Sequence, residues 1–263
     1  MDYNFSNKNI LIGGASEGIG WESAKLFALN GANITLMSRS EEKLQNRLNQ
    51  LHQSSTQKHF ALPVDFTRPD ELENILKEFI RSANINYDVV INNTGGPPGG
   101  KINQAQSIEF INAFNMHLIS FHKILGVILE GMKIRENGRI INIISTSVKQ
   151  PLNGLGVSNT IRGAVANWAK TLANELGEFN ITVNNVLPGA TNTGRLKEII
   201  KAKAQKLNSS EKIISKNMAD EVPMKRIAEP IEVANAVVFL ASEKASYING
   251  VNLPVDGGRT KSL

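Results

Sequence analysis

The 263-residue chain has no cysteine, which excludes disulfides, thiolate metal centres and a cysteine nucleophile and fits a cytoplasmic location. No apolar run approaches the ~20 residues of a membrane span, so no membrane partner is expected. Met1 to Lys8 lack the apolar stretch of a signal peptide. No Gly-, Pro- or Ser-rich linker divides the sequence, and residues 1–263 are expected to form a single dinucleotide-binding domain with a sizeable core. Phenols are scarce, the tyrosines being Tyr3, Tyr87 and Tyr247. With 41% hydrophobic and 20% charged residues, the composition excludes extended disorder.

The net charge of +5 by itself admits nucleic acid as a partner, yet the excess is local. Arg195 to Asn217 carries seven basic and two acidic residues, an excess as large as that of the whole chain. The stretch is lysine-rich with no interleaved aromatic platform, so no nucleic-acid partner is expected. A long solvated helix explains it; attraction for acidic or phosphorylated substrates is the sharper alternative.

What the chain does contain is an organising stretch, Asn9-Ile10-Leu11-Ile12-Gly13-Gly14-Ala15-Ser16-Glu17-Gly18-Ile19-Gly20. A short apolar run ends in glycines and leads into Trp21 to Phe27, the order strand, tight turn, helix. Gly14, Gly18 and Gly20, with Ser16, Glu17 and Ile19 among them, let the backbone turn sharply and approach a ligand. The helix beginning there offers unpaired N–H groups and a positive dipole end to a diphosphate. This context makes the turn a dinucleotide fingerprint. A second apolar run, Asn33 to Met37, closes with Ser38, Arg39 and Ser40 before a helix over Glu41 to Gln53. Dinucleotide folds read the ribose here: an acid suits the 2′-hydroxyl of NAD, whereas Ser38 and Arg39 suit the 2′-phosphate of NADP. Glu17 opposes that phosphate, so NADP(H) is expected with NAD as the alternative; the plain reading of Arg39 is a solvated side chain.

Strand and helix then alternate. His59 to Asp65 reads as a third strand, with Thr67 placed to cap a helix running to Ser82. Asp65 can accept from an adenine amino group or simply make the turn. Tyr87 to Ile91 is a fourth strand. It runs into Asn92-Asn93-Thr94-Gly95-Gly96-Pro97-Pro98-Gly99-Gly100, an exposed loop where open α/β sheets bind ligands. A helix follows with an apolar stripe at Phe110, Phe114, Leu118, Phe121, Leu125 and Leu129, and His117 on the same side. Gly138 to Ile144 is strand five and ends at Ser145-Thr146-Ser147. The helix from Val157 to Leu176 puts Ser158 and Arg162, four apart, on one side. Ile181 to Leu187 breaks at Pro188-Gly189, Pro230 opens a helix to Ser242, and Val251 to Val255 is a last strand. The alternation predicts an α/β, Rossmann-type doubly wound fold, a seven-stranded parallel sheet with helices on both faces.

With these pieces in place the chain resembles the short-chain dehydrogenase/reductases over nearly its whole length, and most closely their 3-oxoacyl-[acyl-carrier-protein] reductase branch. Gly14-x-x-x-Gly18-x-Gly20 is similar to the family's cofactor turn, with Gly13 where Thr is usual. Asn92-Asn93-Thr94-Gly95 is similar to its Asn-Asn-Ala-Gly loop, and Pro188-Gly189 with Thr193 to the segment that closes over nicotinamide. Tyr247-Ile248-Asn249-Gly250 through Asp256-Gly257-Gly258 is similar to its C-terminal signature. The resemblance implies hydride transfer between NADP(H) and a small carbonyl, thioester or alcohol substrate, with cofactor contacts from Asn93, Gly95, Pro188, Gly189 and Thr193. It further implies a substrate lid around 190–220, in which Lys201, Lys203 and Lys206 would recognise an acidic moiety. It also implies a homotetramer built on the two long helices; Trp168 suits that interface and a core equally.

The family's catalytic set of Asn, Ser, Tyr and Lys is altered here. Ser145 stands in the Ser place, but the position 13 residues on holds Ser158, the one four further holds Arg162, and the Asn position holds His117. Serine is far less acidic than a phenol of pKa about 10, and a guanidinium of pKa roughly 12 or more relays no proton. The expected catalytic group is Ser145 and Ser158 bonding the substrate oxygen, Arg162 supplying charge and a ribose contact, and His117, or else Lys149, titrating. A His on an apolar stripe is otherwise a core residue. The alternative function is a dinucleotide-binding protein impaired in catalysis, with a regulatory or subunit role.

Overall fold

In the computed structural model, which describes residues 3–262, the apolar runs become the parallel strands β1 (Asn9–Gly13), β2 (Asn33–Ser38), β3 (His59–Pro63), β4 (Val89–Asn92), β5 (Gly138–Ile143), β6 (Ile181–Pro188) and β7 (Asn252–Val255), in the order β3-β2-β1-β4-β5-β6-β7. The helices between them are α1 (Gly18–Leu29), α2 (Glu41–Leu48), α3 (Pro69–Ala83), α4 (Ser107–Phe114), α5 (Ser120–Ile134), α6 (Gly156–Leu176), α7 (Gly194–Lys206), α8 (Glu211–Asp220) and α9 (Pro230–Ala241). The strands are apolar without alternation because both sheet faces are covered. Leu11, Val90, Ile140 and Val183 pack with Phe121 of α5 and Val165 of α6 on one face; Ile10, Ile12, Ile34 and Ile91 pack with Phe27 of α1 and Val237 of α9 on the other. Each such side chain, fully buried, contributes roughly 1.5–3 kcal/mol. The chain reverses direction across the sheet between β1 and β4, and the C-terminal ends of these two neighbours open the crevice in which doubly wound sheets bind ligands.

One polar line crosses this apolar sheet. Asn92, Asn142, Asn185 and Asn252 are in register on β4, β5, β6 and β7. Asn92 Nδ2 donates to Asn142 Oδ1 (2.8 Å), Asn142 Nδ2 to Asn185 Oδ1 (2.9 Å) and Asn185 Nδ2 to Asn252 Oδ1 (2.8 Å).

Several boundaries differ from the sequence expectation, each for a local reason. The second helix stops at Leu48, not Gln53: the backbone tightens at Asn49 and Gln50, and Leu51 turns back into the core. Thr67 does not cap α3. Its N–H and hydroxyl both donate to Asp65 Oδ1 (2.9 and 2.8 Å), and the helix opens on Pro69, which has no N–H to satisfy. The stripe from Phe110 to Leu129 is broken by a π turn at Asn115–Ile119, whose wider winding rotates Phe114 outward to 38% exposure while His117 is sealed inside. The basic segment is two helices rather than one. Asn208 adopts a left-handed conformation between α7 and α8, which close on Leu196, Ile200, Ala204 and Ile214. Among the described residues no helix is long and apolar enough to cross a membrane.

Candidate active site

At the end of β1 the chain turns through Gly14 and Gly18 at φ +56° and +61°, conformations that favour glycine. A Cβ on Gly20 would stand 2.5 Å from the Gly14 carbonyl oxygen, so α1 can lie this close to the turn only with glycine there. Asn93, just past β4, locks the arrangement by donating from Nδ2 to the carbonyls of Gly13 (3.1 Å) and Gly14 (3.3 Å). Arg47 of α2 braces the turn from outside, donating from Nε to the Ser16 carbonyl (2.9 Å) while its guanidinium covers the Trp21 ring at 4.8 Å. Helix α1 starts at Gly18 with no side-chain cap and no acid in its first turn. Its first amides therefore face the crevice uncompensated, which suits a diphosphate. Ile19 is half-buried beside them and Glu17 is exposed.

At the end of β2, Ser38 is buried with an Oγ that has no hydrogen-bond partner, and the next residue, Arg39, is exposed with no ion pair among the described residues. An orphan hydroxyl beside a free cation fits a ribose phosphate. Asp65, half-buried, commits Oδ1 to the Thr67 turn. Gly95 is exposed, with open space where a side chain would stand.

The other end of the crevice forms where β5 stops at Ile143. Ser145 is half-buried and caps a short 3₁₀ turn, its Oγ accepting from the Ser147 N–H (3.1 Å). Arg162 lies beneath, 8% exposed, donating from Nη1 to the Ile143 carbonyl (2.9 Å); its Nε is buried without a partner. Burial, reinforced by Arg195, pushes the Arg162 guanidinium down to about 10, so it remains charged at neutral pH. Ser158 sits one turn earlier on α6 and is half-buried, as is Lys149. His117 is fully buried in the π turn, edge-on to Phe121 at 6.2 Å, and neither ring nitrogen has a partner. Burial first, then the charges of Arg162 and Arg195, hold it well below its usual value. His117 is therefore neutral at neutral pH, unlike the readily titrating group that its type suggested. None of the tyrosines reaches this point: Tyr87 is buried with its hydroxyl donating to Thr35 (2.9 Å), Tyr247 is fully exposed, and Tyr3 lies against Phe5.

The segment after β6 closes the crevice from above. Gly189 donates to the Val255 carbonyl (3.0 Å), and a Cβ there would meet Asp256 at 2.8 Å, which pins the turn after Pro188 against the end of β7. Thr193 caps α7 by accepting from the Leu196 N–H (3.3 Å), and its methyl lies 3.2 Å from where a Gly18 Cβ would stand. Lys201, Lys203 and Lys206 are exposed. Arg195, which residue type alone did not separate from the lysines around it, turns inward instead: its Nη2 donates to the Pro97 carbonyl, tying α7 to the loop after β4. Trp168 is half-buried against the His122 ring at 6.4 Å. The described residues contain no cluster of three or more His, Asp or Glu that would hold a metal.

A family model described as enoyl-(acyl carrier protein) reductase matches residues 14–260. The chain is 32% identical over 253 residues to the 3-oxoacyl-[acyl-carrier-protein] reductase of Chlamydia trachomatis, covering 96% of this chain and 97% of that protein. It is 32% identical over 266 residues to the L-xylulose reductase of Caenorhabditis elegans, covering 98% and 97%. Among solved structures, the L-sorbose reductase of Gluconobacter frateurii, complexed with NADPH and L-sorbose, matches with a TM-score of 0.93 at 32% identity over the full length of both chains.

Proposed function

The chain belongs to the short-chain dehydrogenase/reductase family, and from that premise we propose that it is an oxidoreductase moving a hydride between NADP(H) and a carbonyl or alcohol carbon of a small substrate. The observation that carries this reading is the clasp of Asn93 on Gly13 and Gly14, which holds the uncapped start of α1 open toward the crevice. The NADPH in the sorbose reductase supports the choice of cofactor. So do Ser38 and Arg39, since no acid stands at the end of β2 to favour a free 2′-hydroxyl. Gly14 to Gly20 would hold the diphosphate, Arg39 the 2′-phosphate, and Asn93, Gly95, Gly189 and Thr193 the nicotinamide end.

When bound, the nicotinamide supplies or accepts the hydride. The chain's own residues manage the oxygen. Arg162 presents a fixed positive charge in a buried setting, where a preorganised donor facing a developing oxyanion is worth about 10²–10³ in rate. Ser145 and Ser158 orient the substrate oxygen with their hydroxyl protons. His117, sealed and neutral, carries no spare proton, so water delivers the proton that a phenol would otherwise give. The exposed apolar side chains of α4, Ile108, Ile111 and Phe114, support a homotetramer built on this side of the molecule.

The sealed, uncharged His117 and the serine in place of a phenol favour a second reading, a dinucleotide-binding protein with a regulatory or subunit role. One experiment separates the two: NADPH affinity by fluorescence titration, together with NADPH oxidation on a panel of 3-oxoacyl thioesters, ketoses and small ketones. Binding with turnover supports the oxidoreductase, and binding without turnover on any of them supports the second reading. Failure to bind either NADPH or NADH overturns both.

A further inference from the structure

Glu17 is the residue before α1, yet its side chain caps none of the amides of that helix. It turns instead to the start of α7, where its two carboxylate oxygens lie 3.1 and 3.7 Å from the place a Cβ of Gly194 would take. Gly194 opens α7, whose first turn holds no acid of its own. Thr193 serves the Leu196 amide, and the earlier amides of the turn have no acceptor within the helix. The Glu17 carboxylate therefore supplies, from another element, the negative charge that the positive end of the α7 dipole favours. The next residue fastens the same turn to the other wall of the crevice: Arg195 Nη2 donates to the Pro97 carbonyl in the loop after β4, with Glu198 pairing to it at 3.5 Å along α7. Between the two ties the Thr193 methyl lies 3.2 Å from where a Gly18 Cβ would stand, against the glycine turn itself.

The rest of this segment is self-contained. Its two stems bond to each other, Ala228 N–H to the Ala190 carbonyl (2.9 Å) and Asn192 N–H to the Ala228 carbonyl (2.8 Å). Helices α7 and α8 close on Leu196, Ile200, Ala204 and Ile214, a cluster separate from both cores of the sheet. Such a unit opens locally at a lower cost than the sheet does, and the ties at its leading edge set that cost. We propose that Glu17 is a positioning residue of the lid and not a cofactor contact: with Arg195 on the opposite wall it fastens the first turn of α7 across the crevice, so that the lid lies closed until a dinucleotide enters. The proposal rests on reading the crevice as the dinucleotide site. It accounts for an acid in the turn of a protein that takes NADP(H), since the carboxylate is directed to α7 and not to the ribose phosphate. It also leaves the first amides of α1 free for the diphosphate.

The test reads deuterium exchange at the amides of residues 194–200 in the cofactor-free protein, with NADPH and NADH affinities measured on the same samples by fluorescence titration. Glu17→Gln keeps the shape of an exposed side chain and removes its charge. It is expected to speed exchange in that stretch by about two- to fivefold, the effect of one charge at a helix start, and to leave β5 unchanged. Arg195→Gln, which releases the other wall, is expected to speed exchange in the same stretch. The ratio of NADPH to NADH affinity in Glu17→Gln is expected to stay within about twofold of wild type, because a charge directed to the lid does not distinguish the two cofactors. Unchanged exchange in Glu17→Gln overturns the proposal. A ratio that rises beyond that range also overturns it, by assigning the carboxylate to the ribose phosphate. Exchange is read without cofactor, so faster exchange in a protein that binds neither nucleotide keeps the tie between Glu17 and α7 and removes the dinucleotide reading.

Discussion

Asn93 and Gly13 sit 80 residues apart in sequence, yet the Asn93 amide donates to the Gly13 carbonyl at 3.1 Å, so the loop after β4 and the turn after β1 are one structural unit. The same amide nitrogen would lie 2.9 Å from a Cβ on Gly20, and the Gly14 carbonyl only 2.5 Å from it. Gly20→Ala must push α1 away from the turn. A loss of about 1–3 kcal/mol in urea unfolding is expected, typical of overpacking, together with at least tenfold weaker NADPH binding by fluorescence titration.

Asn142 stands between two amides of the line across the sheet, accepting from Asn92 and donating to Asn185. Asn142→Ala strands a donor on one side and an acceptor on the other. At about 1–3 kcal/mol for each buried group left unpaired, the variant is expected to lose roughly 2–5 kcal/mol in chemical denaturation, a far larger effect than an exposed Asn→Ala produces.

The buried His117 makes stability depend on pH. Its folded value is depressed, so below the unfolded value of about 6.5 the unfolded chain binds the extra proton and the folded chain does not. Stability is whole above about pH 6.5 and declines as the pH falls, by up to ~1.4 kcal/mol per pH unit for this one group. His59, also depressed by burial, acts in the same direction. His117→Leu is expected to remove the His117 share of that slope. Near pH 8 its cost is expected to be small, since neither ring nitrogen makes a hydrogen bond that the variant would lose. Urea midpoints for wild type and variant at about pH 8 and pH 5.5 check both parts.

Arg162 holds the Ile143 carbonyl with one nitrogen and keeps its positive charge at neutral pH despite its burial. Arg162→Ala is expected to lower kcat for NADPH-dependent reduction by about 10² or more. Arg162→Lys is expected to recover little, because an ammonium lacks the planar fork that serves both a carbonyl anchor and a substrate oxygen. Stopped-flow single-turnover rates with saturating NADPH distinguish this loss from weaker cofactor binding.

The sheet was legible because seven apolar runs, each bounded by turn residues, leave little choice of element or direction. Errors fell where an element's end depends on tertiary packing, as at Gln53 and Asp65. The π turn around His117 was invisible because one extra residue per turn shifts the stripe by an amount that periodicity reads as noise; Phe114 accordingly surfaced. In the crevice, the glycines, Ser38, Arg39, Asn93 and the altered Ser145, Ser158 and Arg162 positions were each visible as residue types at the ends of elements. Arg195 was not, because in a run of seven basic residues nothing local distinguishes the one that turns inward. Nor was the link between Asn92, Asn142, Asn185 and Asn252: scattered amides on four strands are unremarkable until strand order aligns them.

That alignment acts as a tally mark for correct threading. Slide β5 by a single residue and the Asn142 amide swings to the opposite face of the sheet, severing the contacts on both sides while Ile141 or Ile143 takes its place; a slip of β4 or β7 severs one contact and a slip of β6 two. A mispaired sheet in this half of the molecule is therefore penalised at several strands together, and the reacting end of the crevice, mounted on β4, β5 and β6, inherits the precision of that alignment.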